Sequence, residues 1–165
     1  MKRNVAIIPA RSGSKSIKDK NIKLFLTKPL ISYSINLAKS IKEIDRVIVS
    51  TDCNNIANIS KKYGAEVPFV RPKFLSEDDT PIDDVMKHCC DELNNEGYIP
   101  DSVILLFPTN PVRKDEHIKE CLRVYYKNKY DCVFTVNESP AHYTPYWTIV
   151  KNKDQVTYFD GTDLA

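Results

Sequence analysis

The sequence predicts an α/β protein in which a mostly parallel sheet is flanked by helices. Short β-branched and apolar runs alternate with segments that have the apolar spacing of helices. Three successive strand–helix–strand steps follow from this alternation, and the helices supply the crossovers that parallel strands require. The 165 residues suit one domain over 1–165, because no internal repeat or low-complexity stretch divides them.

Four strands are predicted where apolar residues run without an interrupting charge, and the first two are expected to be buried. VAIIPA at 5–10 is followed by a polar loop, and RVIVST at 46–51 is rich in β-branched residues. SVILLF at 102–107 is the most strand-like run, and CVFTV at 132–136 is the fourth. VPFV at 67–70 is a short extended piece, because its proline disfavours a helix.

A hairpin is predicted near the end of the chain. YWTIV at 146–150 and QVTYF at 155–159 are two β-rich runs that flank Asn152-Lys153-Asp154, a sequence typical of a turn.

The first two helices are predicted from their boundary residues and apolar spacing. Pro29 suits a first helical position, and apolar residues recur at helical spacing over 30–41. Asp52 is an N-cap candidate for the second helix, and Gly64 suits the position just beyond its end.

The third and fourth helices are predicted in the same way. Thr80 is expected as N-cap and Pro81 as first residue of the third, with Gly97 ending it. The fourth covers 115–128. Three cysteines on apolar faces are expected to be small core residues: Cys89, Cys121 and Cys132.

Composition excludes several classes of protein. Hydrophobic residues make up 42% and charged residues 28%, as in ordinary soluble globular proteins. No apolar run approaches the roughly 18 residues that span a bilayer. The apolar stretch at the start of the sequence is too short for a secretory signal. A cytoplasmic protein is therefore expected. Five cysteines without a CxxC pair make a disulfide framework or a zinc ribbon a poor interpretation.

The net charge of +2 hides a segregation of charge. Residues 1–28 contain eight Lys or Arg and one acid, whereas 76–84 contain five acids and no base. A local basic cluster favours a small anionic ligand, while the weakly basic total does not argue for nucleic acid. The acidic run is interpreted as helix N-terminal charge and a solvated segment; a magnesium site is the alternative.

The loop after the first strand carries the most chemistry. Arg11, Lys15, Lys18 and Lys20 follow a buried strand at the edge where parallel sheets bind ligands. Backbone freedom at Gly13 lets N–H groups approach an anion, so the loop suits a triphosphate. It is not a Walker loop or a dinucleotide fingerprint, since neither pattern is present. The alternative is a solvated basic loop.

Several motifs in order resemble one family. They are IPARSGSKSIKDKNIKLFLTKPLISYSI at 8–35, VIVSTD at 47–52, YGAEVPFVRP at 63–72, DDT at 78–80, LLFPTNPVR at 105–113 and DCVFTV at 131–136. Together they are similar to the acylneuraminate (sialic acid) cytidylyltransferases, and the likeness covers the chain to about Trp147. The resemblance implies a Rossmann-like (GT-A-like) nucleotidyltransferase fold with an incomplete C-terminal part.

The resemblance also implies an activity and a set of site residues. CMP would pass from CTP to the anomeric hydroxyl of a nonulosonic sugar acid, with Mg²⁺ and release of pyrophosphate. Arg11 and Lys20 would act on the CTP phosphates as the catalytic cations. The expected nucleotide-binding residues are Ala10, Arg11, Ser12, Gly13, Lys20, Asn21, Arg71 and Thr80. The expected sugar-side residues are Phe107, Pro108, Thr109 and Asn110.

The chain departs from the family pattern in ways that bear on function. Ser16 replaces a usual glycine, Phe107 replaces a usual glutamine on the sugar side, and Ile82 and Asp83 stand where serine is usual. The sequence stops at Ala165, before the family's RQ…NGAIY region, its late Asp-x-Asp metal ligands and much of its dimer-forming insertion. A homodimer is therefore expected of a full-length form, no metal ligand is assigned, and the sugar acid stays open among sialic, legionaminic and pseudaminic acids.

Two other functions remain as alternatives. The chain could be a non-catalytic relative that binds CTP without transferring CMP. The intact Arg11, Lys20 and Asn21 are consistent with such a binding role. It could also be a basic RNA-binding domain using residues 11–28. That stretch lacks the interleaved exposed aromatics that stack on bases, which argues against RNA.

Overall fold

The fold is an α/β sheet with helices on both faces, as the sequence predicts. The computed structural model of the chain describes residues 2–15, 17–136, 138, 140, 143, 149–152 and 155–158. Within that part, no helix is long and apolar enough to cross a membrane.

A three-stranded parallel sheet forms the centre, in the order β4–β1–β5. β1 spans Asn4–Pro9, β4 spans Arg46–Ser50 and β5 spans Ser102–Leu105. Ile7 of β1 is in register with Ile48 on one side and Leu105 on the other. β1 is central and buried on both faces, which explains why its sequence is a continuous apolar run.

Alternate residues of β1 supply two hydrophobic clusters. Ala6 and Ile8 pack in the larger cluster with the first, second and fourth helices. Val5 and Ile7 pack in the smaller one, against the third helix. The period of two along a strand sends successive side chains to opposite faces, so one strand stabilises both layers.

In the described part of the chain, four helices cover the sheet: α1 is Leu30–Ser40, α2 is Asn54–Lys62, α3 is Ile82–Asn95 and α4 is Asp115–Asn128. Gly64 and Gly97 have φ values of 84° and 81°, which confirms the predicted helix ends, because glycine adopts this conformation without strain.

Three predicted helix starts are wrong by one residue. Pro29 and Pro81 are the N-cap residues and not the first helical residues, and α2 is preceded by Cys53 and not by Asp52. The Thr80 hydroxyl does not cap α3, because it donates to the carbonyl of Phe74 at 3.2 Å. Prolines with φ near −55° and extended ψ end the preceding loop, and the helix begins after them.

The predicted strand at 132–136 is wrong. These residues form no strand, and the side chains of Phe134 and Val136 are 78% and 87% exposed. A β-branched run becomes a strand only when a neighbouring strand takes up its backbone hydrogen bonds, and no described strand does so here. Cys132 is accordingly exposed, contrary to the core position expected for it.

Smaller β elements complete the structure. β6 (Ile149–Asn152) and β7 (Gln155–Tyr158) pair antiparallel, which confirms the hairpin. β2 (Leu24–Phe25) and β3 (Lys28–Pro29) form a short ribbon that the sequence did not predict. The extended piece expected at 67–70 contacts β4 one residue earlier, through a parallel bridge from Glu66 to Ile48.

Candidate functional site

A cavity of about 420 Å³ lies at the carboxyl edge of the sheet. Its walls come from the loop after β1, the segment before α3 and the segment after β5. It brings together eight of the predicted site residues: Arg11, Lys20, Asn21, Arg71, Thr80, Phe107, Pro108 and Thr109. Carboxyl ends of parallel strands share one edge, which is why segments distant in sequence meet here.

Four predicted site residues do not line this cavity. Ala10 is only 1% exposed and packs in the larger hydrophobic cluster, since it still continues the alternation of β1. Ser12, Gly13 and Asn110 are exposed outside the cavity. Among the described residues, a side chain at Gly13 would meet the Arg11 guanidinium at 4.0 Å and no nearer atom.

Two cations of the first loop share one carboxylate. The Nη2 of Arg11 is ion-paired with Asp78 Oδ1, and the Nζ of Lys15 lies 2.6 Å from Asp78 Oδ2. The Arg11 Nη1 also donates to the carbonyl of Ser76 at 3.3 Å. The hydrogen bond from Lys15, and then that from Arg11, holds the pKa of Asp78 below its usual range. The acidic and basic runs seen in the sequence therefore meet in the cavity wall.

The other end of the loop is held by Asn21. Its side chain is buried, and its Nδ2 donates to the Arg11 carbonyl at 3.0 Å. Lys20 begins a short 3₁₀ helix, Lys20–Ile22, and lines the cavity. In the part of the chain that the structure describes, Lys20 has no ion-pair partner, so its charge is available to an anion.

The Asp52 side chain connects the basic loop to the end of β4. It does not cap the start of α2. Its carboxylate accepts hydrogen bonds from the Ser12 backbone N–H at 2.9 Å and from the Ser12 hydroxyl at 2.6 Å. The expected capping role is wrong, because α2 begins after Cys53 without a side-chain cap. Sequence reasoning missed this contact. The available signal was the position of Asp52 directly after β4, at the same edge as the loop.

Arg71 is a buried arginine held by neutral oxygens. It is 4% exposed, its Nε donates to the Ser50 hydroxyl at 3.1 Å, and its Nη2 donates to the Ser50 carbonyl. Its Nη1 donates to the Leu75 carbonyl at 3.4 Å. Burial lowers the pKa of this guanidinium, which stays charged because an arginine titrates far above neutral pH. Arg71 therefore joins the end of β4 to the segment that carries Asp78.

The wall opposite the basic loop is partly apolar. Phe107 follows β5, is 41% exposed and faces the cavity beside Pro108 and Thr109. Its carbonyl accepts from the Ser34 hydroxyl of α1 at 3.4 Å, which links this wall to the core. One side of the cavity thus offers fixed cations and the other offers a ring.

A family model described as cytidylyltransferase matches residues 5–160. The chain belongs to the cytidylyltransferase family. The relatives it matches include a pseudaminic acid cytidylyltransferase of Campylobacter jejuni, 39% identical over 82% of this chain and 59% of that protein. An N-acylneuraminate cytidylyltransferase of Escherichia coli is 37% identical over 82% of this chain and 31% of that protein. A CMP-N,N'-diacetyllegionaminic acid synthase of Legionella pneumophila is 34% identical over 88% of this chain and 61% of that protein.

These relatives confirm the acylneuraminate-type membership that the motifs implied, and this cytidylyltransferase chain spans about three fifths or less of their length. Solved structures confirm the fold. A CMP:2-keto-3-deoxy-manno-octonic acid synthetase complexed with CTP superposes with a TM-score of 0.63, at 18% identity, over 77% of this chain and 48% of that one. A cytidylyltransferase from Leptospira borgpetersenii superposes with a TM-score of 0.59, at 20% identity, over 78% and 51%.

The described residues of this cytidylyltransferase do not fit a protein-held metal ion. Among them, no three His, Cys, Asp or Glu side chains are grouped as metal ligands. Two carboxylates that contact the basic loop are already engaged, Asp78 by two cations and Asp52 by Ser12. A hard cation prefers oxygen ligands that are free of such partners.

Proposed function

We propose that this chain is the nucleotide-binding part of an enzyme that transfers CMP from CTP to the anomeric hydroxyl of a nonulosonic, sialic-type sugar acid. Pyrophosphate is the second product. The observation that carries the proposal is the convergence of Arg11, Lys15 and Lys20 on one cavity at the carboxyl edge of the sheet. The relatives named above, all of them cytidylyltransferases or CMP-sugar acid synthases for such acids, supply the reaction class.

The chemistry needs positive charge more than it needs a nucleophile from the protein. The sugar hydroxyl oxygen bonds to the α-phosphorus, and the bond from that phosphorus to the bridging oxygen breaks. Pyrophosphate leaves with the electron pair, and the hydroxyl proton passes to solvent. Negative charge grows on the departing pyrophosphate, so fixed cations stabilise the transition state. Lys20, whose charge is unpaired among the described residues, suits that role, and Arg11 suits the phosphates beside it.

The cytosine is proposed to lie against the segment 71–80. Leu75 and Val85 give the cavity an apolar wall there, and Arg71 holds the segment in place from beneath. Backbone groups can supply the donor and the acceptor that a cytosine edge requires. The identities of the side chains therefore say little about this part of the site. The sugar acid is proposed to occupy the Phe107 side of the cavity.

Mg²⁺ is proposed on family grounds alone, as an ion that enters with the CTP phosphates. It would neutralise phosphate charge as the leaving group departs. No step above depends on it, because the described residues supply no metal-ligand group. A homodimer is likewise a proposal that rests on the family resemblance, and a cytoplasmic location is a proposal that rests on the sequence composition. Sedimentation of the full protein tests the homodimer.

Nucleotide selectivity tests the proposal. Calorimetric titration of the chain with CTP, UTP, ATP and GTP, each with Mg²⁺, is expected to show tightest binding of CTP. A double variant, Arg11→Ala with Lys20→Ala, is expected to lose most of that binding, while Lys18→Ala, an exposed cation outside the cavity, retains it. Equal affinity for all four nucleotides, or no affinity for CTP, would contradict the cytidylyl assignment.

A further inference from the structure

Asp78 uses both of its carboxylate oxygens on the basic loop. Oδ1 is paired with Arg11, and Oδ2 lies 2.6 Å from the Nζ of Lys15. All three residues line the same cavity. A planar anion that bridges an arginine and a lysine makes the contacts that two oxygens of a phosphoryl group would make with the same donors.

We propose that Asp78 occupies the phosphate subsite of this cavity and that a nucleotide triphosphate must displace it. The inference rests on the proposed function, because it takes the cations of the first loop as the phosphate ligands. It adds a residue that opposes binding: Asp78 sets how tightly the cavity holds a polyphosphate.

The geometry allows this exchange. The Asp78 side chain is 32% exposed and belongs to a segment between α3 and the 3₁₀ turn Lys73–Leu75, so its carboxylate can turn into solvent. An exposed ion pair is weak, whereas a triphosphate brings several charges to the same donors. Arg11 keeps its hydrogen bond to the Ser76 carbonyl after the exchange, so the guanidinium stays in place.

Asp79 provides a matched comparison. It follows Asp78 directly and carries the same charge. However, it lines a second cavity, which adjoins the first, and not the cavity that contains Arg11. In the part of the chain that the structure describes, Asp79 makes no ion pair. Neutralising Asp79 therefore changes the charge of the segment without freeing a cation.

The opposite role for Asp78 is to position Arg11 for the ligand. A positioning carboxylate would make its removal weaken binding, whereas a competing carboxylate makes its removal strengthen binding. The sign of the change decides between the two roles.

The test uses Asp78→Asn and Asp79→Asn, with CTP and inorganic tripolyphosphate as two separate calorimetric probes. Asp78→Asn is expected to bind both probes about threefold to tenfold more tightly than the unchanged chain, the range that two exposed ion pairs provide. Asp79→Asn is expected to change either affinity by less than about twofold. Thermal melts verify folding, and Asp78→Ala repeats the test if the asparagine variant is unfolded.

Each result has one meaning. Unchanged or weaker binding by Asp78→Asn overturns the inference, and so does an equal gain in Asp79→Asn, which would be a general effect of charge. No binding of either probe to the unchanged chain and to Asp78→Asn overturns it as well. If Asp78→Asn gains affinity for tripolyphosphate while the unchanged chain does not prefer CTP to ATP or GTP, the cytidylyl proposal fails and the role of Asp78 stands.

Discussion

Asp52 and Ser12 are joined by two hydrogen bonds across 40 residues of sequence, from the Ser12 backbone N–H at 2.9 Å and from its hydroxyl at 2.6 Å. The contact ties the start of the basic loop to the carboxyl end of β4. Asn21 ties the other end of the loop to the Arg11 carbonyl. Lys15 and Lys20, which line the cavity, lie between these two anchors, and the anchors are not themselves cations.

Loss of the Asp52 anchor is expected to weaken nucleotide binding more than folding. Asp52→Ala should raise the Kd for CTP by up to about thirtyfold, because two hydrogen bonds to a carboxylate each contribute on the order of 1 kcal/mol to loop order. Calorimetry and thermal melts measure the two effects. Ser12→Ala keeps the backbone bond and should cost less. A large loss of helix stability with unchanged binding would instead support the capping role.

Lys20→Ala is expected to lower kcat for CMP transfer about 10²- to 10³-fold in the active enzyme, the loss typical of one electrostatic donor in a transition state. Lys20 packs in neither hydrophobic cluster, so the melting temperature should barely change. The rate of pyrophosphate release at saturating CTP measures kcat. Unchanged kcat would mean that the catalytic cation lies elsewhere.

Lys18→Ala is the matched control for Lys20→Ala, because it removes the same charge from an exposed position outside the cavity. Asp19, one residue away, would be a poor control. Its φ of 55° is left-handed, a conformation that aspartate tolerates better than alanine, so alanine there would strain the loop.

Arg71 is expected to be a stability residue as well as a cavity residue. Arg71→Ala leaves the Leu75 carbonyl without its donor and removes one of two donors to the Ser50 carbonyl, which keeps the Ala10 N–H, and it should lower the free energy of unfolding by about 2–4 kcal/mol. Urea denaturation measures this free energy of unfolding. Arg113→Ala is the comparison, since the buried Nη1 of Arg113 has no hydrogen-bond partner among the described residues. Equal losses in the two variants would show that burial, and not bonding, makes Arg71 stabilising.

Thiol labelling of the folded protein is expected to be fast at Cys132 and slow at Cys89. Cys132 is exposed, whereas Cys89 is fully buried and burial raises the pKa of its thiol, so little reactive thiolate forms. Mass spectrometry of labelled peptides resolves the sites. Cys132→Ser should remove the fast phase. Rapid labelling of Cys89 with the fold intact would contradict the packing of α3 on the sheet.

Phe107 is expected to affect the sugar acid and not the nucleotide. Phe107→Gln should change KM for the sugar acid several-fold, since an amide replaces the ring at the cavity wall, and leave the Kd for CTP within about twofold. Phe74→Gln is the control, because Phe74 is an exposed ring that lines the neighbouring cavity. A change in CTP affinity alone would place the nucleotide, and not the sugar, against Phe107.

The central sheet could be predicted because β1 and β4 are largely buried and β5 is a short apolar run beside them. Their β-branched runs carry that signal in the sequence itself, and the period-3.6 spacing does the same for the helices. CVFTV at 132–136 has the same local composition and is not a strand, since a run of this kind needs a partner strand that composition does not specify.

The candidate site likewise has a part that the sequence predicts and a part that it does not. Arg11, Lys20 and Asn21 could be found from sequence, because cations and polar residues that directly follow a buried strand lie at the binding edge of a parallel sheet. The pairing of Asp78 with Arg11 and Lys15 could not be found, because the partners are more than 60 residues apart and either charged run can be solvated by itself.

The sequence by itself therefore determined the layers of this protein, the loop that carries its cations and the family to which it belongs. These properties depend on local periodicity and on residues adjacent in the chain. Tertiary structure alone decided that Asp52 anchors Ser12, that Arg71 is buried among neutral oxygens and that Asp78 lies on the cations. Each of those contacts forms only after parallel strands bring distant segments to one edge, and a polar residue gives no local sign of which partner it will meet there.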